Sequence, residues 1–235
     1  MNSRILLTAY FLLMLTNQVP GSTLQVDLRL LLNARIITTL TGDQLVPWRD
    51  ALDGVTSGEA TLAAARRIGA PFAQALPDDG IFSATDRHPR VELFFSNADG
   101  TGNQVRRSLA EDAYTLVPPP RAYVQFWIFV MSGNGESKLR VHLLYAAGAD
   151  EVRELIVPDW YFPIRDGEAH RINLAENLGK WSSANQLMER DHHFLHGLEL
   201  RPDRLRVLVG VRVEKAAPAV LTLWGATGVT QEGEG

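Results

Sequence analysis

Between residues 205 and 213 every second side chain is apolar. Leu205, Val207, Val209, Val211 and Val213 share one face, with Arg206, Arg212 and Glu214 opposite. An extended strand with one dry and one wet face buries a row of that period, whereas a helix would spread it around its axis. The same pattern recurs upstream. Val91, Leu93 and Phe95 alternate over 91–96, and Leu139, Val141, Leu143 and Tyr145 alternate with Arg140, His142 and Leu144. Turn-forming clusters separate the rows: Pro77-Asp78-Asp79-Gly80, the NADGTGN run at 97–103, Ser132-Gly133-Asn134-Gly135, Ala147-Gly148 and Arg201-Pro202-Asp203.

Residues 123–131 (YVQFWIFVM) are apolar on both faces, which predicts a strand covered from both sides or central in a sheet. Further strands are predicted over 36–39, 114–117, 152–157, 170–174, 195–200 and 220–224. Residues 59–68 read as a short helix, capped by Ser57 and closed by Gly69 and Pro71. Residues 177–193 read as irregular or partly helical. About eight or nine short strands with one early helix is the signature of an all-β antiparallel sandwich or barrel. Strands do not alternate with long helices, which a parallel α/β sheet needs. The segment before residue 76 is expected to add a strand and the helix to the same sandwich.

The first residues carry a different signal. Arg4 precedes an apolar run over 5–15, broken only by Thr8, and small residues follow at Val19-Pro20-Gly21-Ser22. This is a signal-peptide pattern with cleavage expected after Gly21, and it predicts a secreted or periplasmic protein. The alternative is a buried N-terminal helix. The organisation expected is a signal peptide over 1–21, one β-sandwich domain over 22–230 and a frayed tail over 231–235. No later stretch is long and apolar enough for a membrane-spanning helix.

Lys and Arg number 23 against 27 Asp and Glu, a net charge of −4, so the chain has no general attraction for polyanions. The densest basic stretch, 201–206, holds three arginines interrupted by Asp203 and reads as a solvated strand edge. Nucleic acid is therefore not an expected partner. The chain has no cysteine, which excludes disulfides, thiolate metal sites and cysteine nucleophiles. An exported chain without cysteine leans toward a bacterial source.

Three stretches together resemble a galactose-binding-like jelly roll, the β-sandwich of many bacterial carbohydrate-binding modules. They are the alternating hairpin over 138–160 with its Ala146-Ala147-Gly148 turn and terminal Asp159-Trp160, the apolar strand 123–131, and the closing pair 205–214 and 220–225. The resemblance implies a jelly-roll β-sandwich that binds a glycan without catalysis, often with a structural Ca2+.

Glycan binding needs flat aromatic faces for sugar C–H groups and nearby polar groups for hydroxyls. Trp160 and Tyr161, beside Asp159 at a strand end, are the first candidates, with Trp181 and Trp48 next. Each tryptophan could instead plug one end of the core. Trp127 and Trp224 lie inside strand patterns and are expected in the core. Asn97, Asp99 and Asn103 supply oxygens from a glycine-rich loop that could hold Ca2+, or could serve only the turn. Arg190-Asp191-His192-His193 with His196 is the densest polar cluster and could hold zinc, serve as acid and base, or form a hydrogen-bonded structural cluster, and a small glycanase or lyase on this fold would use Glu189, Asp191 and His193. His196 joins them if the segment is helical, and is buried if it is a strand. Arg140 and His142 share a strand face that reads as exposed. No HExxH, G-x-S-x-G or phosphate-binding loop is present. The third possibility is an envelope structural or protein-interaction domain.

Overall fold

The protein is described here from a computed structural model covering residues 21–231 except 166 and 217. The signal-peptide and tail readings therefore fall almost wholly outside the described residues. In chain order the elements are β1 (Thr23–Gln25), β2 (Ile37–Thr41), β3 (Gln44–Val46), β4 (Glu59–Ala60), α1 (Leu62–Ile68), β5 (Ile81–Phe82), β6 (Val91–Glu92), β7 (Arg106–Ser108), β8 (Asp112–Leu116), β9 (Arg121–Gly133), β10 (Ser137–Tyr145), β11 (Glu151–Val157), β12 (Arg171–Trp181), β13 (Leu187–Glu199), β14 (Val207–Lys215) and β15 (Val220–Thr230). Strand accounts for 50% and helix for 3%, so the fold is all-β.

Two antiparallel layers carry the long strands. One runs β11-β10-β14-β8, and the other β12-β13-β9-β15, with β1 and β7 both pairing β15. The first residues of β9 also pair with β14, which joins the layers and curls the sheet. The arrangement is compatible with a β-sandwich.

The central strand β9 explains its own composition. Phe126, Ile128 and Val130 point into a core shared with Leu139, Val141 and Leu143 of β10 and Val211 and Val213 of β14. Trp127, Phe129 and Met131 point the other way, against Ile36, Ile37, Leu52, Leu76 and Val91. The N-terminal segment thus covers the outer face of the β9-containing layer, and the run 123–131 is apolar on both sides because both sides are dry.

Two sequence expectations need correction. The helix begins at Leu62, not at Glu59, and Thr61 caps it, with its hydroxyl accepting from the Ala64 N–H at 3.4 Å. Residues 59–60 are held extended by parallel pairing with β2, and Ser57 is buried, donating to Asp53 Oδ2 at 2.8 Å. Gly69 closes the helix at φ 92°, a left-handed conformation suited to glycine. The second correction concerns residues 177–193, which are neither irregular nor helical but form most of the β12–β13 hairpin. Its register shifts four times, and Asn177 and Asn185 both sit at φ 54°. These bulges break the alternation that would have revealed a strand.

Candidate functional site

The β12–β13 hairpin places Lys180 directly opposite Glu189. The turn after β11 lays Trp160 and Tyr161 over this pair, and β4 brings Glu59 up beneath His193. Trp160 and Tyr161, proposed for glycan contact, and Glu189 and His193, proposed for catalysis, are therefore one cluster.

At its half-buried rim, the Tyr161 hydroxyl donates to Glu189 at 3.0 and 3.1 Å to the two carboxylate oxygens. Lys180 Nζ donates to the Tyr161 oxygen at 2.9 Å and to Glu189 at 3.3 Å. The same ammonium lies 5.6 and 5.5 Å from the ring centroids of Trp160 and Tyr161, within cation–π range. Beneath the rim the His193 ring stacks on Trp160 at 3.7 Å between centroids. His193 Nδ1 is 3.4 Å from Glu59 Oε1, and both side chains are 0% exposed. Glu59 Oε2 and His193 Nε2 make no hydrogen bond among the described residues.

The charge states follow from these contacts. Burial would raise the Glu189 carboxyl, but the hydrogen bonds from Tyr161 and Lys180 outweigh it and hold it below its usual range. Burial would lower Lys180, but the same partners hold it above its usual range. Burial and the Glu189 carboxylate hold the Tyr161 phenol up, against the opposing pull of Lys180. At neutral pH the rim is a neutral phenol between an ammonium and a carboxylate. Burial drives Glu59 above its usual carboxyl range, more than His193 and Lys180 draw it down.

The remaining candidates fall elsewhere or serve structure. Trp160, Trp181 and Trp48 are 2%, 0% and 7% exposed, so their rings are enclosed in the interior. Asp159 accepts from the Gly135 N–H at 2.6 Å and the Tyr161 N–H at 3.1 Å, and fixes the turn that presents Tyr161. Asp191 and His192 are exposed, with His192 4.0 Å from Glu189 and 3.7 Å from Asp191. His196 is buried on strand β13, bonded through Nε2 to the Phe162 carbonyl at 3.1 Å. Arg140 pairs with Glu154 at 2.8 Å, and His142 lies 3.5 Å from Glu214.

The oxygens of the 97–103 loop have internal partners. Asn97 Oδ1 accepts from the Leu40 N–H and the Thr61 hydroxyl. Asp99 pairs with the fully buried Arg35 at 3.0 Å and accepts from Gln104 at 2.7 Å, while Asn103 Oδ1 accepts from Arg49 at 3.0 Å. The loop is the anchor of the N-terminal layer. Among the described residues no group of three or more His, Asp or Glu is arranged to hold a metal ion. None of their helices is long and apolar enough to cross a membrane.

Sequence reasoning missed Glu59 and Lys180 as site members. Glu59 sat inside an expected helix with no polar neighbour to single it out. Lys180 gains its role only through pairing across a bulged hairpin.

No protein-family model and no curated protein sequence matches this chain. The functional reading therefore rests on the site.

Proposed function

We propose that this is an exported, non-catalytic carbohydrate-binding protein of the galactose-binding-like jelly-roll type, with its glycan site at the Tyr161 rim. The observation that carries the reading is the Tyr161 hydroxyl held between Lys180 and Glu189. A sugar hydroxyl needs donors and acceptors already fixed in place, and this rim offers an ammonium, a phenol and a carboxylate at the edge of a half-open aromatic ring. Phe162, 64% exposed, and the exposed His192 ring, 6.4 Å from the Tyr161 ring, extend the apolar surface beside it. Secretion or periplasmic location is part of the same proposal and rests on the 1–21 sequence pattern.

The chemistry favours binding over hydrolysis. A glycosidase needs one carboxyl kept protonated near neutral pH and a second one ionised across the scissile bond. Here the accessible acid, Glu189, is held ionised and neutralised by Lys180. The carboxyl that burial raises, Glu59, is sealed from any substrate together with His193.

A glycan array probed with residues 22–235 tests this. Binding to a neutral oligosaccharide is expected, weakened about tenfold or more by Tyr161→Ala and by Glu189→Gln, with circular dichroism unchanged. A blank array overturns the reading and moves it to a protein-interaction domain. The β11 edge, where Val152 and Ile156 are 47% and 45% exposed, would then be the surface to probe.

A further inference from the structure

A second open feature lies where β11, the start of β12 and the end of β13 meet. It is a groove of about 740 Å³ lined by Arg153, His170, Arg171, Arg201 and Arg204, with Glu199 as the carboxylate among them. Three of these basic side chains are engaged locally. His170 Nδ1 is 2.6 Å from Glu199 Oε2, Arg171 is 3.7 Å from Glu168, and Arg153 pairs with Glu151. Arg201 and Arg204 are exposed and make no ion pair among the described residues. The groove thus presents two uncommitted guanidiniums backed by a partly neutralised cationic wall.

The backbone there is fixed in an uncommon form. His170 and Arg201 occupy φ 66° and 51°, left-handed conformations that non-glycine residues adopt only where the surroundings impose them. The His170 carbonyl accepts from the Glu199 N–H at 2.9 Å, which ties one wall of the groove to the other.

The chemistry of the lining narrows the ligand. Guanidinium reads a carboxylate bidentately, and two of them in one groove call for an anionic group. Val124 and Leu155 supply apolar surface, and no Trp, Tyr or Phe lines the groove, so the broad rings on which nucleic-acid bases usually stack are lacking. We infer that this groove binds the carboxylates of a uronic-acid-bearing polysaccharide, through Arg201 and Arg204. Such a polymer carries one carboxylate per sugar and apolar C–H faces between them. This site is separate from the Tyr161 rim and does not depend on it.

The test is calorimetric titration of residues 22–235 with a galacturonate hexamer, and with a neutral dextran oligomer as control. Binding of the uronate alone is expected at low salt, weakening as NaCl rises from about 0.05 to about 0.5 M. The Arg201→Gly, Arg204→Ala double variant keeps the left-handed backbone open to residue 201 and is expected to weaken binding about tenfold or more. Arg204→Glu alone should weaken it at least as much, and covers any local unfolding of the double variant. Tyr161→Ala is expected to leave uronate binding within about twofold. No uronate binding at low salt, equal binding of the neutral oligomer, or retention within about twofold by both arginine variants would overturn the inference. Uronate binding beside a blank neutral-glycan array would sink the Tyr161 reading alone, and the opposite pair of results would sink the groove alone.

Discussion

The two faces of the β9-containing layer are buried by different means. The inner face meets β10 and β14 through apolar rows such as Phe126, Ile128 and Val130 against Leu139, Val141 and Val213. The outer face meets the N-terminal segment and takes Arg35, Asp53, Glu59, Gln104 and His193 into the interior along with its apolar contacts. Arg35, 0% exposed, donates to Thr39 at 2.7 Å, Asp99 at 3.0 Å and the Gly102 carbonyl at 3.1 Å. An apolar face tolerates any partner of suitable volume, whereas a buried ion is tolerated only by its own partner. Apolar packing joins both faces, and on the outer face the buried ions also fix where the N-terminal layer sits.

The sharpest way to break this contrast is to damage each face and then attempt a rescue. Arg35→Met leaves Asp99 without its cation and is expected to cost about 3–5 kcal/mol, read by urea unfolding. Adding Asp99→Leu should recover much of that loss, because the stranded charge goes with it. Phe126→Ala is expected to cost a similar 3–5 kcal/mol through its cavity, with no such single-partner rescue. Equal rescue on both faces would erase the distinction.

A smaller effect depends on pH. Burial pulls His196 from 6.5 down to about 4, so folding favours its neutral form. Its contribution is complete above the unfolded value and is lost as pH falls through the folded one. Between pH 7 and 4 the native chain should lose about 3 kcal/mol more stability than His196→Gln, measured by urea midpoints at both values. Parallel acid limbs would contradict this. The smallest expected effect is at the helix that anchors the outer layer. Thr61→Ala removes the cap of α1 and the hydroxyl bonded to Asn97 at 2.8 Å, and should lower stability by about 1 kcal/mol in the same assay.

The contrast also explains what could be read from the residues alone. The inner face was legible because burial there is written as period two in 139–145 and as an apolar run on both faces at 123–131; in the 205–213 row only Val211 and Val213 face the core as expected, while Leu205 and Val207 are exposed and Leu208 is buried in their place. The outer face was not, because its order lies in pairings such as Arg35 with Asp99 and Glu59 with His193, sixty-four and 134 residues apart. Trp160, Tyr161, Glu189 and His193 were each visible as candidates. Their union was hidden by the four register shifts of the β12–β13 hairpin. The three tryptophans could not be placed in or out of the core, since a ring at a strand end serves either purpose until its neighbours are known.

The layer that covers β9 from outside has a kinetic consequence. Residues 34–105 dock on a surface built from strands that come later in the chain, and β1 pairs with β15, Thr23 opposite Val229. A segment synthesised first has no complete template until β15 has joined β9. Loop-closure entropy must be met before those contacts form, which makes such topologies slow to fold. The outer layer, with Glu59 and therefore the floor of the Tyr161 rim, is accordingly expected to be completed only after β9 and β15 have paired.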